Sequence, residues 1–316
     1  MKKASLLAVV LAFTAGPALA QTRLSVATGG TGGVYYPLGG GLANVLTKAL
    51  PGVEATAEVT SASVDNVKLV GAGKADVAFV LADTAADGYN GVGKFKEKVP
   101  VRAIAVLYAN KSQWVTVEGT GIQKMQDLKG RRIATGAPGS GTEIIALRIL
   151  EAYGLDPEKD VKREKLSVAE SVNAIKDRKI DAFFWSGCVP TAAVTDLAAT
   201  PGMKIKLIDH ADAVPNLVKK YGTLYVKGTI PAKSYPGQEK DVAVADVWNL
   251  LIVSEKMSEK MAHDITKATF ENKADLQAVH SEAANLDLSK QYVVGSPIPF
   301  HPGAAKYFAE KGLKPK

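Results

Sequence analysis

The sequence predicts an α/β protein made of two lobes with a ligand cleft between them. Short apolar strands alternate with helices in the first hundred residues and again after residue 130. Each series opens in the same way, with a strand that leads through a glycine-rich loop into a helix. With 316 residues, 47% of them hydrophobic, the chain is long enough for two separate cores.

The first twenty residues have the pattern of a secretory signal peptide. Lys2 and Lys3 precede the apolar run SLLAVVLAFTAG, and Ala18-Leu19-Ala20 forms a cleavage site before Gln21. This run is too short to span a membrane as a permanent helix, and no later segment is sufficiently apolar. Because no cysteine follows the cleavage site, we expect an unlipidated, soluble protein in the periplasm.

The composition argues against several classes of function. The formal net charge is +7, or +5 without Lys2 and Lys3, and the basic residues form no block. We therefore expect no binding to nucleic acid. Cys188 is the only cysteine, so no internal disulfide can form. No His, Cys or carboxylate pair has the spacing of metal ligands, and we expect neither a metal nor a cofactor.

The most informative stretch is ATGGTGGVYYPLGGGLANVL, at 27–46. Its glycines allow a ligand to approach the backbone closely, and Pro37 suits the first turn of the helix that follows. That helix directs its free N–H groups and positive end at the loop, which favours an anion. A glycine-rich turn without any ligand is the alternative. The candidate ligand-binding residues here are Gly32, Gly33, Val34, Tyr35 and Tyr36.

Polar residues follow the next two predicted strands. VEATAEVT at 53–60 leads to Ser61 and Ser63, either of which can cap a helix, and ADVAFVLAD ends in Asp83. The carboxyl ends of parallel strands meet at one edge of a sheet. We therefore add Ser61, Ser63 and Asp83 to the candidate ligand-binding residues.

Two further loops have the same character. GAPGSGTE at 136–143 matches neither nucleotide-binding fingerprint, but it places Ser140 or Thr142 at the start of a helix. Hydroxyl and N–H groups there would form a seat for an oxyanion, so Ser140, Gly141 and Thr142 are candidates. In IDAFFWSGCVPT, the residues Trp185, Ser186 and Gly187 leave a buried strand and form the third loop.

Two crossings between the lobes are predicted. The strand pattern at 101–119 is interrupted around 109–112, where we expect the chain to enter the second lobe, and it returns near Trp248. The interval from Leu217 to Val253 has an extended pattern, and three helices follow it. These crossings place lobe I at 21–111 and 248–316 and lobe II at 112–247.

The position of Cys188 between Gly187 and Pro190 raises the alternative of an enzyme that uses the thiol for acyl or amide transfer. None of the four histidines forms a motif with it, and we favour a buried structural thiol. A receptor for an inorganic oxyanion is a second alternative. Tyr35, Tyr36 and Trp185 favour an organic ligand instead.

Six segments, taken in order, resemble the TAXI family of solute receptors for TRAP transporters: TGGTGGVYYPLGGGLA, TSASVDNV, KADVAFV, GAPGSGTE, DAFFWSG and YPGQEKDV. The resemblance covers nearly all of the chain after the signal peptide. It implies a periplasmic binding protein of type II-like fold, not an enzyme, whose two lobes close on a small ligand.

The same resemblance implies a carboxylate ligand such as glutamate, glutamine or 2-oxoglutarate. It also implies delivery to the membrane permease subunits of a TRAP transporter, and we expect the receptor to be a monomer. Where the family pattern has a small residue, this chain has Cys188. The family's ligand loops fall on Gly32 to Tyr36, on Ser61 and Ser63, on Ser140 to Thr142 and on Trp185 to Gly187.

Overall fold

A mixed sheet of ten strands, flanked by helices, makes up the part of the chain described by the computed structural model, residues 21–315. The predicted signal peptide at 1–20 lies outside these residues. The strands are β1 Thr22–Ala27, β2 Val53–Glu58, β3 Val77–Leu81, β4 Val101–Val117, β5 Arg132–Ala134, β6 Lys162–Glu164, β7 Ala182–Gly187, β8 Ile205–Ile208, β9 Tyr225–Ile230 and β10 Val242–Ser254.

Helices pack against the sheet in both halves of the molecule. Within 21–315, none of these helices is long and apolar enough to cross a membrane. The α-helices are α1 Tyr35–Ala49, α2 Ser63–Gly71, α3 Ala82–Asn90, α4 Gly141–Ala152, α5 Val168–Lys176, α6 Ala192–Ala199, α7 Val214–Tyr221, α8 Glu259–Glu271, α9 Lys273–Val279 and α10 Pro302–Glu310.

The two longest strands, β4 and β10, run antiparallel through the middle of the molecule. The order along the sheet is β2-β1-β3-β10-β4-β7-β5-β6, with β8 on β4 and β9 on β10. The second half of β10 pairs with β3, and its first half pairs with β9. We call the part with β1–β3, α1–α3 and α8–α10 lobe I, and the part with β5–β9 and α4–α7 lobe II. Both lobes share β4 and β10.

The predicted interruption of the strand pattern at 109–112 is wrong. Strand β4 continues through these residues because 109–111 pair with β10 and 111–112 pair with β7, so that Lys111 lies opposite both Asp246 of β10 and Gly187 of β7. The polar side chains in this stretch therefore do not mark the end of the strand. They reflect a different environment around this part of β4. The predicted lobe boundaries fall inside β4 and β10 and stay a prediction.

Each lobe has its own apolar core. In lobe I, all five residues of β3 are buried, and Leu42, Leu46 and Phe79 lie in one cluster. In lobe II, Trp114 and Phe184 pack with their rings 5.0 Å apart. Because β3 is covered on both faces by helices, its sequence VAFVL is apolar throughout, as parallel strands of this kind are.

Two local predictions differ from the structure. Helix α7, at Val214–Tyr221, overlaps the start of the interval predicted to be extended, because Pro215 suits its first turn and Val214 and Leu217 bury one face. Helix α2 has no side-chain cap at all: its N-cap is Ala62, with φ of 80°. The Ser63 hydroxyl instead accepts a hydrogen bond from Leu81 N at 3.1 Å.

A buried histidine should make stability depend on pH. His210 is fully buried after β8, its Nδ1 lies 2.8 Å from Ile208 O, and burial lowers its pKa to about 4. An unfolded histidine titrates near pH 6.5, so its stabilising contribution is complete above that pH and is lost as pH falls towards 4. At pH 5 the loss is about 2 kcal/mol.

We expect His210→Asn, whose amide can replace the Nδ1 donor, to reduce the difference between unfolding free energies measured in urea at pH 7.5 and pH 5. His263→Asn should have the opposite effect, because hydrogen bonding to Glu310 raises the pKa of His263 and so stabilises the protein at low pH. An unchanged pH dependence in His210→Asn would contradict this assignment.

Candidate functional site

A cavity of about 320 Å³ lies between the two lobes. All the candidate ligand-binding residues line it except Tyr36 and Asp83. The lining residues are Gly29, Gly30, Thr31, Gly32, Gly33, Val34, Tyr35, Val59, Thr60, Ser61, Ala62, Ser63, Leu81, Asn110, Gly136, Ala137, Ser140, Gly141, Thr142, Ser167, Val168, Ala169, Trp185, Ser186 and Gly187.

Four helices begin at this cavity, and among residues 21–315 none with a charged side chain lines it. Their first residues are Tyr35 of α1, Ser63 of α2, Gly141 of α4 and Val168 of α5. A helix N-terminus carries a partial positive charge and N–H groups without intrahelical acceptors. The four N-termini therefore favour an anion in the cavity, although Asp65, Glu143 and Glu170 in the first turns of α2, α4 and α5 offset part of their positive charge.

One of these four N-termini is already occupied. The N–H groups of Val64 and Asp65 in α2 donate to Gly139 O, at 3.0 and 3.2 Å. A carbonyl of lobe II therefore occupies this helix N-terminus of lobe I. Gly139 has a φ of 81°, and a Cβ there would lie 2.6 Å from Asp65 Oδ1. This contact across the cleft therefore requires glycine.

The N-termini of α1 and α4 are available to a ligand. Within 21–315, the N–H groups of Tyr35, Gly141 and Thr142 have no protein acceptor. The two helices belong to different lobes and meet at the same cavity. A carboxylate held there would receive hydrogen bonds from both lobes, which would hold the lobes together.

The hydroxyls of the site differ in their availability. Ser140 caps α4 as predicted, but it donates its hydrogen to Ala137 O at 2.6 Å and accepts from Glu143 N at 3.1 Å. It therefore has no hydrogen left for a ligand, which corrects its predicted role. Ser186 Oγ is buried and has no partner within the described residues. Because Ser186 lines the cavity, a ligand atom that reached this oxygen could accept its hydrogen.

A chain of buried hydrogen bonds supports the floor of the cavity. Tyr35 OH donates to Asn249 Oδ1, and burial raises the pKa of this phenol, which keeps the donor protonated. Asn249 Nδ2 donates to Asn110 Oδ1 at 2.9 Å, and Asn110 Nδ2 donates to Ser186 O at 3.2 Å. Sequence reasoning missed both asparagines. The available signal was an amide in the middle of each of two apolar strands.

Trp185 closes one side of the cavity. Its Nε1 donates to Thr191 Oγ1 at 3.0 Å, and this bond fixes the indole plane. Across the cleft, a Cβ added at Gly33 would lie 3.1 Å from Trp185 Cη2. The glycine loop of lobe I thus approaches the indole of lobe II closely, which a larger residue at position 33 would hinder.

The structure does not bring Asp83 or Tyr36 to the cavity. Strand β3 passes directly into α3, so Asp83 lies in the first turn of a helix and not in a loop. Its carboxylate is fully buried, accepts from Tyr225 OH at 2.6 Å and pairs with Arg148 at 3.3 Å. Tyr36 follows Tyr35 on α1 but turns outwards, with 39% of its surface exposed.

Cys188 lies beside the site but is buried in the core of lobe I, and its thiol donates to Pro190 O at 3.4 Å. Burial raises the pKa of the thiol to about 12, so the nucleophilic thiolate is scarce at neutral pH. No group of three or more His, Cys, Asp or Glu side chains suited to a metal occurs within 21–315.

The approach of α4 to lobe I predicts a strong effect of a small substitution. A Cβ at Gly141 would lie 2.6 Å from Leu81 Cδ1 and 2.8 Å from Ser63 Oγ. Gly141→Ala should therefore push the lobes apart, enlarging the radius of gyration in small-angle scattering and costing about 1–3 kcal/mol of stability.

Gly40→Ala is the matched control, because a Cβ at this exposed position of α1 meets no atom within 4 Å. It should leave both the radius of gyration and the unfolding midpoint close to those of the parent. Identical scattering from Gly141→Ala and the parent would show that α4 does not set the separation of the lobes.

Comparisons with known proteins agree with this architecture. A family model described as the NMT1-like family matches residues 26–312. A binding protein component of an ABC phosphonate transporter from Pseudomonas aeruginosa has a TM-score of 0.53 at 11% identity, covering 84% of this chain and 80% of its own. A Xanthomonas citri protein bound to ATP has a TM-score of 0.53 at 10% identity, covering 92% and 95%.

A putative L-cystine ABC transporter protein from Listeria monocytogenes also matches, with a TM-score of 0.51 at 17% identity, over 84% of this chain and 96% of its own. At such low identities these likenesses concern the fold alone. They confirm the predicted fold class, a two-lobed α/β binding-protein fold with the cleft between the lobes.

Proposed function

The chain belongs to the NMT1-like family, and from that premise we propose that it is a periplasmic solute receptor for a small carboxylate. The observation that carries this proposal is a cavity between the lobes at which four helices begin and which, within residues 21–315, no charged side chain lines. Delivery to the permease subunits of a TRAP transporter is the finer part of the proposal. Its support is the order of the six sequence segments that resemble the TAXI family.

The lining favours a carboxylate without an ammonium group. In the part of the chain that the structure describes, no Asp or Glu lines the cavity to pair with a ligand cation, and the positive ends of the helices repel one. Unlike glutamate and glutamine, 2-oxoglutarate has no ammonium group. It therefore suits the positive helix ends better than glutamate does. The volume of about 320 Å³ lies at the lower end of the range of about 300–1,000 Å³ for organic ligand pockets.

The two alternatives have less support. An inorganic oxyanion would leave much of this volume unfilled, together with the apolar surfaces of Val34, Tyr35 and Trp185. The enzyme alternative needs a reactive Cys188, whose thiol is buried and has a raised pKa. A receptor that returns its ligand unchanged needs neither an acid, a base nor a nucleophile.

Direct binding measurements test the proposal. The protein, unfolded to remove bound ligand and then refolded, is titrated calorimetrically with 2-oxoglutarate, glutamate, glutamine and phosphate. We expect 2-oxoglutarate to bind more tightly than glutamate, and phosphate to bind weakly or not at all. Binding of phosphate alone, or chemical conversion of any of these compounds, would contradict the carboxylate receptor. Mass spectrometry of the ligand released on unfolding identifies the occupant independently.

Hydroxyl deletions test how the ligand is held. Ser186→Ala and Thr142→Val should each weaken carboxylate binding by about ten- to a hundredfold, because a hydrogen bond to a charged group contributes about 1.5–3 kcal/mol. Ser140→Ala should act differently, lowering the unfolding free energy by about 1 kcal/mol through loss of the α4 cap.

Tyr36→Phe is the control, since this side chain lies outside the cavity and should leave the affinity unchanged. If Ser186→Ala and Thr142→Val bind normally while removal of a distant Arg or Lys abolishes binding, the ligand is held by an ion pair elsewhere.

A further inference from the structure

Behind the cavity, a buried cluster of charged and phenolic groups surrounds Arg148. Its guanidinium lies 2.5 Å from Asp87 Oδ2 and 3.3 Å from Asp83 Oδ2, and it donates to Tyr225 OH at 3.0 Å. The guanidinium carbon also lies 4.0 Å from the centroid of the Tyr221 ring. We call Arg148, Asp83, Asp87 and Tyr225 the Arg148 cluster. The site described above uses none of these side chains.

The Arg148 cluster connects the two lobes. Asp83 and Asp87 lie on α3, which packs on α2 and β3 of lobe I. Arg148 lies on α4, which packs on β7 and α7 of lobe II, and Tyr225 begins β9. The two acidic groups therefore come from one lobe, and their cationic and phenolic partners come from the other.

The cluster also lies close to the line about which the lobes would rotate. On β10, Val247 pairs with Tyr225 of lobe II, and Asn249 pairs with Leu81 of lobe I. These two positions are about 7 Å apart along the strand. During a rotation about β4 and β10, groups this close to the axis move little, so the ion pairs can persist in open and closed forms.

Helix α4 itself packs against both lobes. Gly141, Ile144 and Arg148 recur at the spacing of one helical face, and each contacts lobe I: Gly141 at Leu81, Ile144 in the apolar cluster of β3, and Arg148 at α3. Ile145 and Ile149 lie in the core of lobe II. Arg148 therefore anchors the same face of α4 whose first residue lines the cavity, about 10 Å away.

We propose that Arg148 is a positioning residue: through Asp83, Asp87 and Tyr225 it joins the lobes at the pivot and holds the first turn of α4 against lobe I over the cavity. The consequence for ligand affinity rests on the proposed function, whereas the effect on the lobes does not. A second pair across the lobes, Lys94 with Glu143 at 3.5 Å, has a lysine that is 46% exposed. Solvent screens such a pair, so it contributes little.

Hydrogen exchange in the ligand-free protein tests the proposal. The N–H groups of Val64 and Asp65 bond across the cleft to Gly139 O, so their exchange reports separation of the lobes. In Arg148→Gln, we expect these two amides to exchange at least tenfold faster than in the parent. Amides of β1, inside lobe I, should keep parental rates. Tyr225→Phe, which removes one hydroxyl, should also accelerate exchange at Val64 and Asp65, but by a smaller factor.

Arg132→Gln is the matched control, because Arg132 pairs with Asp181 entirely within lobe II. It should leave exchange at Val64 and Asp65 unchanged. Parental rates at these amides in a folded Arg148→Gln protein would overturn the proposal, and so would equal acceleration of β1 amides, which indicates general destabilisation. If Arg148→Gln does not fold, Tyr225→Phe decides the test. The criteria are the same: the exchange rates at Val64 and Asp65, and the exchange rates of the β1 amides.

Titration with 2-oxoglutarate separates this proposal from the receptor function. If the parent binds it, Arg148→Gln should bind at least tenfold more weakly although Arg148 does not line the cavity. If the parent binds no carboxylate, the proposed function fails, and the exchange rates still decide whether the Arg148 cluster holds the lobes.

Discussion

The pairing of β4 with β10 is the constraint on which the rest of the structure depends. Both strands pass through both lobes, so every strand of the sheet is placed, directly or through a neighbour, by its position along this pair. Because the two strands hydrogen-bond to each other where the lobes meet, the connection is a ribbon and not a pair of flexible linkers. The cavity lies beside that ribbon, and Asn110 and Asn249 extend its hydrogen bonding to the loop at Ser186, which lines the cavity.

Local signals were sufficient to predict the three loops that line the cavity. A glycine-rich segment between an apolar strand and a helix specifies its own geometry, and the helix that follows supplies the electrostatics. Gly32, Gly141 and Trp185 accordingly line one cavity, and their binding of a ligand stays a prediction. The type of fold could be predicted for the same reason, since the alternation of strands and helices is also a local pattern.

The remaining parts depend on partners that are distant in sequence. Asp83 resembled a ligand residue because it follows a buried strand, but its environment is decided by Arg148, which is 65 positions away. Asn110 seemed to interrupt a strand because the partner of its amide, Asn249, lies 139 positions further on. Ser140 was identified correctly as a cap, but its availability to a ligand depended on whether a carbonyl would accept its hydrogen.

Under the proposed receptor function, the carbonyl of Gly139 at the N-terminus of α2 affects how a loaded receptor differs from an empty one. It forms a bond across the cleft that needs no ligand, and this bond favours the arrangement in which the lobes are together. A transporter that responded to closure alone would then accept unloaded receptors and run cycles without cargo. In such a receptor, the balance between this internal bond and the bonds that a ligand adds at α1 and α4 would govern coupling efficiency as well as affinity.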